Sequence, residues 1–209
     1  LDSERVYSIA MRKVIADLGY EVDENLRFSC LGRRSLAVAG LVIDKYGIEL
    51  SPSAFVELYE SEAMKMIRNL PLMPGVDELL RHLHDQYIPM AIATSSSSAA
   101  MKIKACPHRN LFSVMHHVVC GDDPELERSK PFPDIFLIAA SRFNPPAKPE
   151  CCLVFEDSPA GMQAGVAAGM QVVMIPDPTV PDEQREGATL VLNSMSEFVP
   201  ELFGLPYID

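Results

Sequence analysis

Thr94-Ser95, Lys130 and Glu156-Asp157 are residues whose types and spacing could do chemistry together. Two short apolar runs, 88–93 and 151–155, lead directly into the two polar pairs. Lys130 lies between them in a proline-rich Ser-Lys-Pro-Phe-Pro-Asp segment. A hydroxyl with a backbone amide, a lone cation and a carboxylate pair suit a phosphate group and a hard divalent cation. Phosphoryl transfer needs charge neutralisation at the equatorial oxygens more than it needs covalent help. Thr94 and the amide of Ser95 would donate to those oxygens, aided by the N-terminus of the helix that follows. Lys130 would neutralise developing charge as a compact ammonium. Asp157 is a hard oxygen donor suited to Mg²⁺, which takes one or two carboxylates and keeps waters. Glu156 would bind the ion directly or orient one of its waters. Singly, each has an ordinary reading: a helix cap, a solvated lysine, a charge pair at a helix start. Together, all on one face of a predicted sheet, they are poorly explained by coincidence.

The elements that must position these residues are legible as periodicity. Apolar runs at 88–93, 114–119, 151–155, 172–175 and 189–192 do not alternate, and helical segments separate them. That pattern predicts a parallel sheet covered on both faces, an α/β doubly wound, Rossmann-like core. In such sheets ligands sit outside the carboxyl ends of the strands. The first seventy residues read as helices instead. Asp2 or Ser3 would cap one carrying Tyr7, Met11, Val14 and Leu18 and ending at Gly19. A second carries Leu36, Val38, Ala39, Val42, Ile43 and Tyr46 up to Gly47, and Ser51-Pro52 opens a third. Gly161, Gly165 and Gly169 are expected within one helix, let close to the sheet by their missing side chains.

Composition narrows the classes. The 209 residues carry a net charge of −11 and are 48% hydrophobic, so a globular core is expected and a generally basic nucleic-acid footprint is excluded. No stretch reaches the ~18 apolar residues of a membrane span, and no signal peptide is visible. Five cysteines without a CxxC pair are expected to be reduced and mostly buried, which points to the cytoplasm. His82, His84, His108, His116 and His117 show no metal spacing and are read as structural.

Three segments carry a resemblance. Ala93-Thr94-Ser95, Lys130 to Asp134, and Val154 to Gly161 resemble the second, third and fourth motifs of haloacid dehalogenase-like hydrolases, 36 and 27 residues apart by Thr94, Lys130 and Asp157. The resemblance spans essentially the whole chain. It implies a core remnant at 1–7, a helical cap domain at 8–70 inserted as in the β-phosphoglucomutase-like branch, and an α/β hydrolase core at 71–209. It implies a Mg²⁺-dependent phosphatase working through an aspartyl-phosphate on a small phosphorylated substrate, with no nucleic-acid or membrane partner and a monomeric state. Gly121 to Glu125, Thr189 to Ser194 and Pro200 to Pro206 add to the resemblance, which implies pseudouridine 5′-phosphate or a similar small nucleotide as substrate. Arg33 and Arg34 on the cap are expected to reach substrate.

The chain departs from the family in one motif: no Asp-x-Asp occurs in it. In relatives that motif would end a central strand just before the segment beginning at Leu1. Asp2 is no replacement, since no strand precedes it and Glu4 stands two residues on. With Leu1 in place of Met, the expectation is a processed, trimmed or partial product that lacks its nucleophile and its general acid/base, is inactive as written and folds poorly alone. A sheet without that strand would expose two central edges. Alternatives are a binding protein that keeps the phosphate pocket without catalysis, and a sugar phosphomutase.

Overall fold

The computed structural model describes Leu1 and residues 3–208. Asp2, one of the two expected helix caps, lies outside the described residues, and Ser3 is the first residue of its helix. Helix α1 (Ser3–Asp17) runs unbroken through position 7 and buries Val6, Ala10, Met11, Val14 and Ile15 along one face. Helix α2 (Glu24–Cys30) is capped by Asp23, whose side chain accepts from the amides of Asn25 and Leu26. The sequence pattern had not singled it out, because seven residues give too few turns to show a period. Helix α3 (Ser35–Tyr46) ends on Gly47 in the left-handed region, and α4 (Pro52–Met64) starts on Ser51 with proline in its first turn. Helix α4 packs on α1 and α3, and Phe55, Val38, Val42, Ile15 and Ile67 form a closed apolar cluster there.

The remainder is α/β. Helix α5 (Val76–Asp85) leads to β1 (Ala91–Ala93), followed by α6 (Ser98–Ala105), α7 (Arg109–Phe112) and β2 (His117–Val119). Helix α8 (Asp134–Ser141), β3 (Leu153–Glu156), α9 (Pro159–Ala167), β4 (Gln171–Met174) and β5 (Leu190–Val191) complete the order. All pairings are parallel, as the non-alternating runs predict. The strands nevertheless form two sheets, β1-β2 and β3-β4-β5. Val172, Val173 and Met174 of β4 are fully enclosed, while every residue of β1 and Leu153 and Phe155 of β3 stay half-buried. Among the described residues β1 pairs only with β2, and β3 only with β4.

Helix α9 lies close on this sheet. A Cβ at Gly165 would press into Val172, so the small residue is required there. Gly169 differs from expectation: it stands beyond the helix at φ 75°, where it ends α9 as a left-handed cap. The cysteines also correct a reading. Cys30 is buried, but Cys106 and Cys151 are exposed, because each occupies a short 3-10 turn outside the core. His82, His108 and His117 each contact a backbone carbonyl, of Pro206, Leu70 and Ala139 respectively. No helix among the described residues is long and apolar enough to cross a membrane.

Candidate active site

The carboxyl ends of β1 and β3 open on one cavity of about 260 Å³, roofed by residues of α1, α2 and the 31–35 loop. Thr94, Ser95, Lys130, Glu156 and Asp157 all line it, although they come from three separate chain segments. Thr94 continues the ladder through its amide to the Val119 carbonyl, and its Oγ1 accepts from the Ser96 amide at 3.2 Å. The amide of Ser95 has no acceptor among the described residues, which suits it to an anion. Its hydroxyl donates to the Gly32 carbonyl at 2.7 Å and so joins the roof rather than the ligand.

Lys130 is no solvated loop lysine. Its residue is 5% exposed, its ammonium pairs with the Glu156 carboxylate, and it donates to the Ala93 carbonyl at 3.3 Å. Glu156 ends β3 instead of following it. Its second oxygen accepts from the Ser158 hydroxyl at 3.1 Å, and its carboxylate lies where a Cβ on Gly161 would fall. Glu156 is thus held on Lys130 and Ser158, while Asp157 projects into the open part of the cavity.

Arg33 lines the cavity, with its Nε tied to the Ser29 carbonyl at 2.7 Å. Arg34 does not line it and stands at the start of α3. The geometry adds residues that spacing did not reveal: Glu4, Tyr7, Gly32, Ser96 and Lys104. Glu4 reads in sequence as an ordinary acid in a first helical turn. Nothing in the sequence separates Lys104 from Lys102, yet Lys102 is exposed and Lys104 is 4% exposed.

Three acids crowd this space. Burial, and then the Asp157 charge, push the Glu4 carboxyl up to about 8. Burial and the neighbouring Glu156 push Asp157 up to about 6, with Lys130 acting against them. Burial draws the Lys104 ammonium down to about 8, with Glu4 and Asp157 opposing. Burial and Glu60 hold the Tyr7 phenol up at about 12, so it stays neutral.

Gly32 is the point where the roof touches the floor. Its carbonyl takes the Ser95 hydroxyl, its amide donates to Glu4 at 3.4 Å, and it sits at φ 74°. A Cβ there would fall inside the Ser158 side chain. Gly32→Ala is therefore expected to cost about 1–3 kcal/mol in urea denaturation, as overpacking does. An unchanged midpoint would show that the loop shifts freely.

Comparisons with known proteins place this geometry. The profile of haloacid dehalogenase-like hydrolases matches residues 3–169. A probable pseudouridine-5′-phosphatase of Drosophila melanogaster is 42% identical over 99% of this chain and 90% of its own length. The (DL)-glycerol-3-phosphatase 1 (mitochondrial) of Arabidopsis thaliana is 43% identical over 99% of this chain and 70% of its own. Among solved structures, β-phosphoglucomutase from Clostridium difficile superposes with a TM-score of 0.79 over 96% of this chain and 89% of its own, at 22% identity, a likeness of fold. With its polar residues gathered at the strand ends and a relative this similar over nearly its whole length, the chain belongs to the haloacid dehalogenase-like hydrolases.

Proposed function

We propose that this chain carries the phosphate-binding and cap elements of a Mg²⁺-dependent hydrolase of small phosphomonoesters. The observation that carries the reading is the convergence of Thr94, the Ser95 amide, Lys130 and Asp157 on one cavity between β1 and β3. The similarity to phosphatases of pseudouridine 5′-phosphate and glycerol 3-phosphate supports a small phosphorylated substrate. We take a nucleotide-like ester such as pseudouridine 5′-phosphate as the first candidate.

The crowding of acids fits a divalent cation. Burial raises both carboxyls, aided at Glu4 by the Asp157 charge and at Asp157 by the Glu156 charge, and a cation at Asp157 would relieve both. Mg²⁺ takes one or two carboxylates and draws its other oxygens from water and phosphate, so Asp157 is the side chain that would hold it here. When bound, the ion would neutralise charge on the phosphoryl oxygens. Thr94 and the Ser95 amide orient the phosphoryl group, and Lys130 offsets its charge. Glu156 keeps the Lys130 ammonium in place.

A carboxylate nucleophile completes the reaction. Its oxygen would bond to phosphorus as the ester P–O bond breaks and a second carboxyl group gives the leaving oxygen its proton; that group would then take a proton from the water that cleaves the acyl phosphate. No Asp-x-Asp lies in these 209 residues, and the opening between β1 and β3 supports a further strand there that brings the two aspartates. By this reading the chain alone is inactive. A second reading, a phosphate-binding protein without catalysis, draws on the same missing motif.

The test is phosphate release from pseudouridine 5′-phosphate and glycerol 3-phosphate by the protein expressed from its complete coding sequence. Free phosphate is expected with Mg²⁺, falling to background with EDTA. Isomerised sugar phosphate in place of free phosphate would instead identify a phosphomutase, and binding without turnover would favour the second reading.

A further inference from the structure

One buried cation at this cavity has no part in the reaction just described. Lys104 stands on the second turn of α6, and helical side chains lean toward the helix start. Its Nζ accordingly reaches ahead of the helix, where it donates to the Ser96 hydroxyl at 2.7 Å. The ammonium also lies 4.8 Å from the centre of the Tyr7 ring. Burying a charge is unfavourable unless it is compensated. Lys130 is compensated by Glu156, but among the described residues no carboxylate lies within ion-pair distance of Lys104.

Ser96 is the other half of the observation. Its amide donates to Thr94 Oγ1 and its carbonyl accepts from Gly121 at 2.8 Å, so it belongs to the same turn as the two phosphate-binding candidates. A dianionic phosphoryl group entering here meets Glu156 and Asp157 as well as Lys130. A second positive charge, fixed to the turn and not locked in an ion pair as Lys130 is, fits that load.

We propose that Lys104 is a positioning residue of the phosphate site: acting through Ser96, it holds the 94–97 turn and supplies the second cation that a phosphoryl dianion requires. The proposal rests on the phosphate-site reading given above. Its ligand class is the phosphoryl group itself, whatever alcohol it esterifies.

Inorganic phosphate is the probe, titrated calorimetrically with Mg²⁺ into the protein expressed from its complete coding sequence. K104M is expected to weaken binding about tenfold, as loss of one charge-assisted contact would. S96A is expected to weaken it in the same direction, and the double variant to bind no more weakly than K104M, because coupled residues do not add. K104R is expected to restore affinity to within about threefold of the parent, which a purely packing role would not produce. Should K104M fail to fold, S96A and K104R decide. Parental affinity in K104M or S96A, additive losses, or K104R as weak as K104M each overturn the proposal. K130M separates this failure from that of the phosphate site: weak binding in K130M with parental binding in K104M removes Lys104 alone, whereas parental binding in K130M removes the phosphate-site reading.

Discussion

Lys130→Met, in the protein expressed from its complete coding sequence, is expected to lower kcat/KM by about 10²–10³-fold, the usual loss when one charge-stabilising donor leaves a water-poor site. Turnover alone would not prove the role, because Lys130 also holds structure. Its side chain and that of Glu156 are 5% and 8% exposed, and its ammonium lies 4.9 Å from the Phe136 ring centre. Removing one partner of such a buried pair leaves the other charged and unsolvated, at a cost of about 3–5 kcal/mol. A loop lysine in solvent would carry no such cost. The companion variants are therefore Glu156→Gln and the double Lys130→Met/Glu156→Gln. The double variant is expected to recover most of the lost stability in urea denaturation, since no lone charge remains, yet to stay as inactive as Lys130→Met. If Lys130→Met turned over substrate near the parental rate, the phosphate-site assignment would fall. If activity returned along with stability in the double variant, Lys130 would be a scaffold residue only.

Much of this site is readable in the chain because its residues sit at boundaries. Thr94-Ser95 and Glu156-Asp157 stand where apolar runs stop, and in a parallel sheet those stops share one edge. The helical front third was equally legible, since α1, α3 and α4 are long enough to show their periods. What escaped is whatever depends on distant segments folding together. Lys104 and Lys102 look alike in sequence, and only the packing of α6 beside Tyr7 buries one and leaves the other in water. Glu4 becomes unusual only when Asp157, more than a hundred residues later, arrives beside it. Arg33 and Arg34 were an undivided pair until the turn into α3 sent one to the cavity and not the other. The strands came out shorter than their apolar runs. The break between β1 and β3 leaves both with one edge unpaired, and strand lengths follow pairing as well as composition.

Glu4 carries the other large effect, on stability against pH. Its carboxyl titrates near the ordinary value when the chain is unfolded, and burial followed by Asp157 raises it to about 8 in the folded protein. Between about pH 4.5 and pH 8 the folded state therefore holds a proton that the unfolded state has released. Stability is fully present below the unfolded value and declines as pH rises through that window, levelling off above about 8. Asp157, raised to about 6, adds a loss of the same sign over the lower part of the window. Its shift is the smaller of the two, and so is its share. Unlike an acid held in an ordinary salt bridge, Glu4 makes this protein more stable toward mild acid. Urea denaturation at pH 5 and pH 8, without divalent ions, is expected to show a fall of a few kcal/mol. Glu4→Gln, which keeps an acceptor for the Gly32 amide but has no proton to lose, is expected to flatten most of that slope. Millimolar Mg²⁺ is expected to restore stability at pH 8 far more than at pH 5, because it stabilises the ionised carboxylates of this cavity. Equal slopes in the parent and in Glu4→Gln would show that the crowding of acids is relieved by solvent, and would remove the electrostatic case for a cation between β1 and β3.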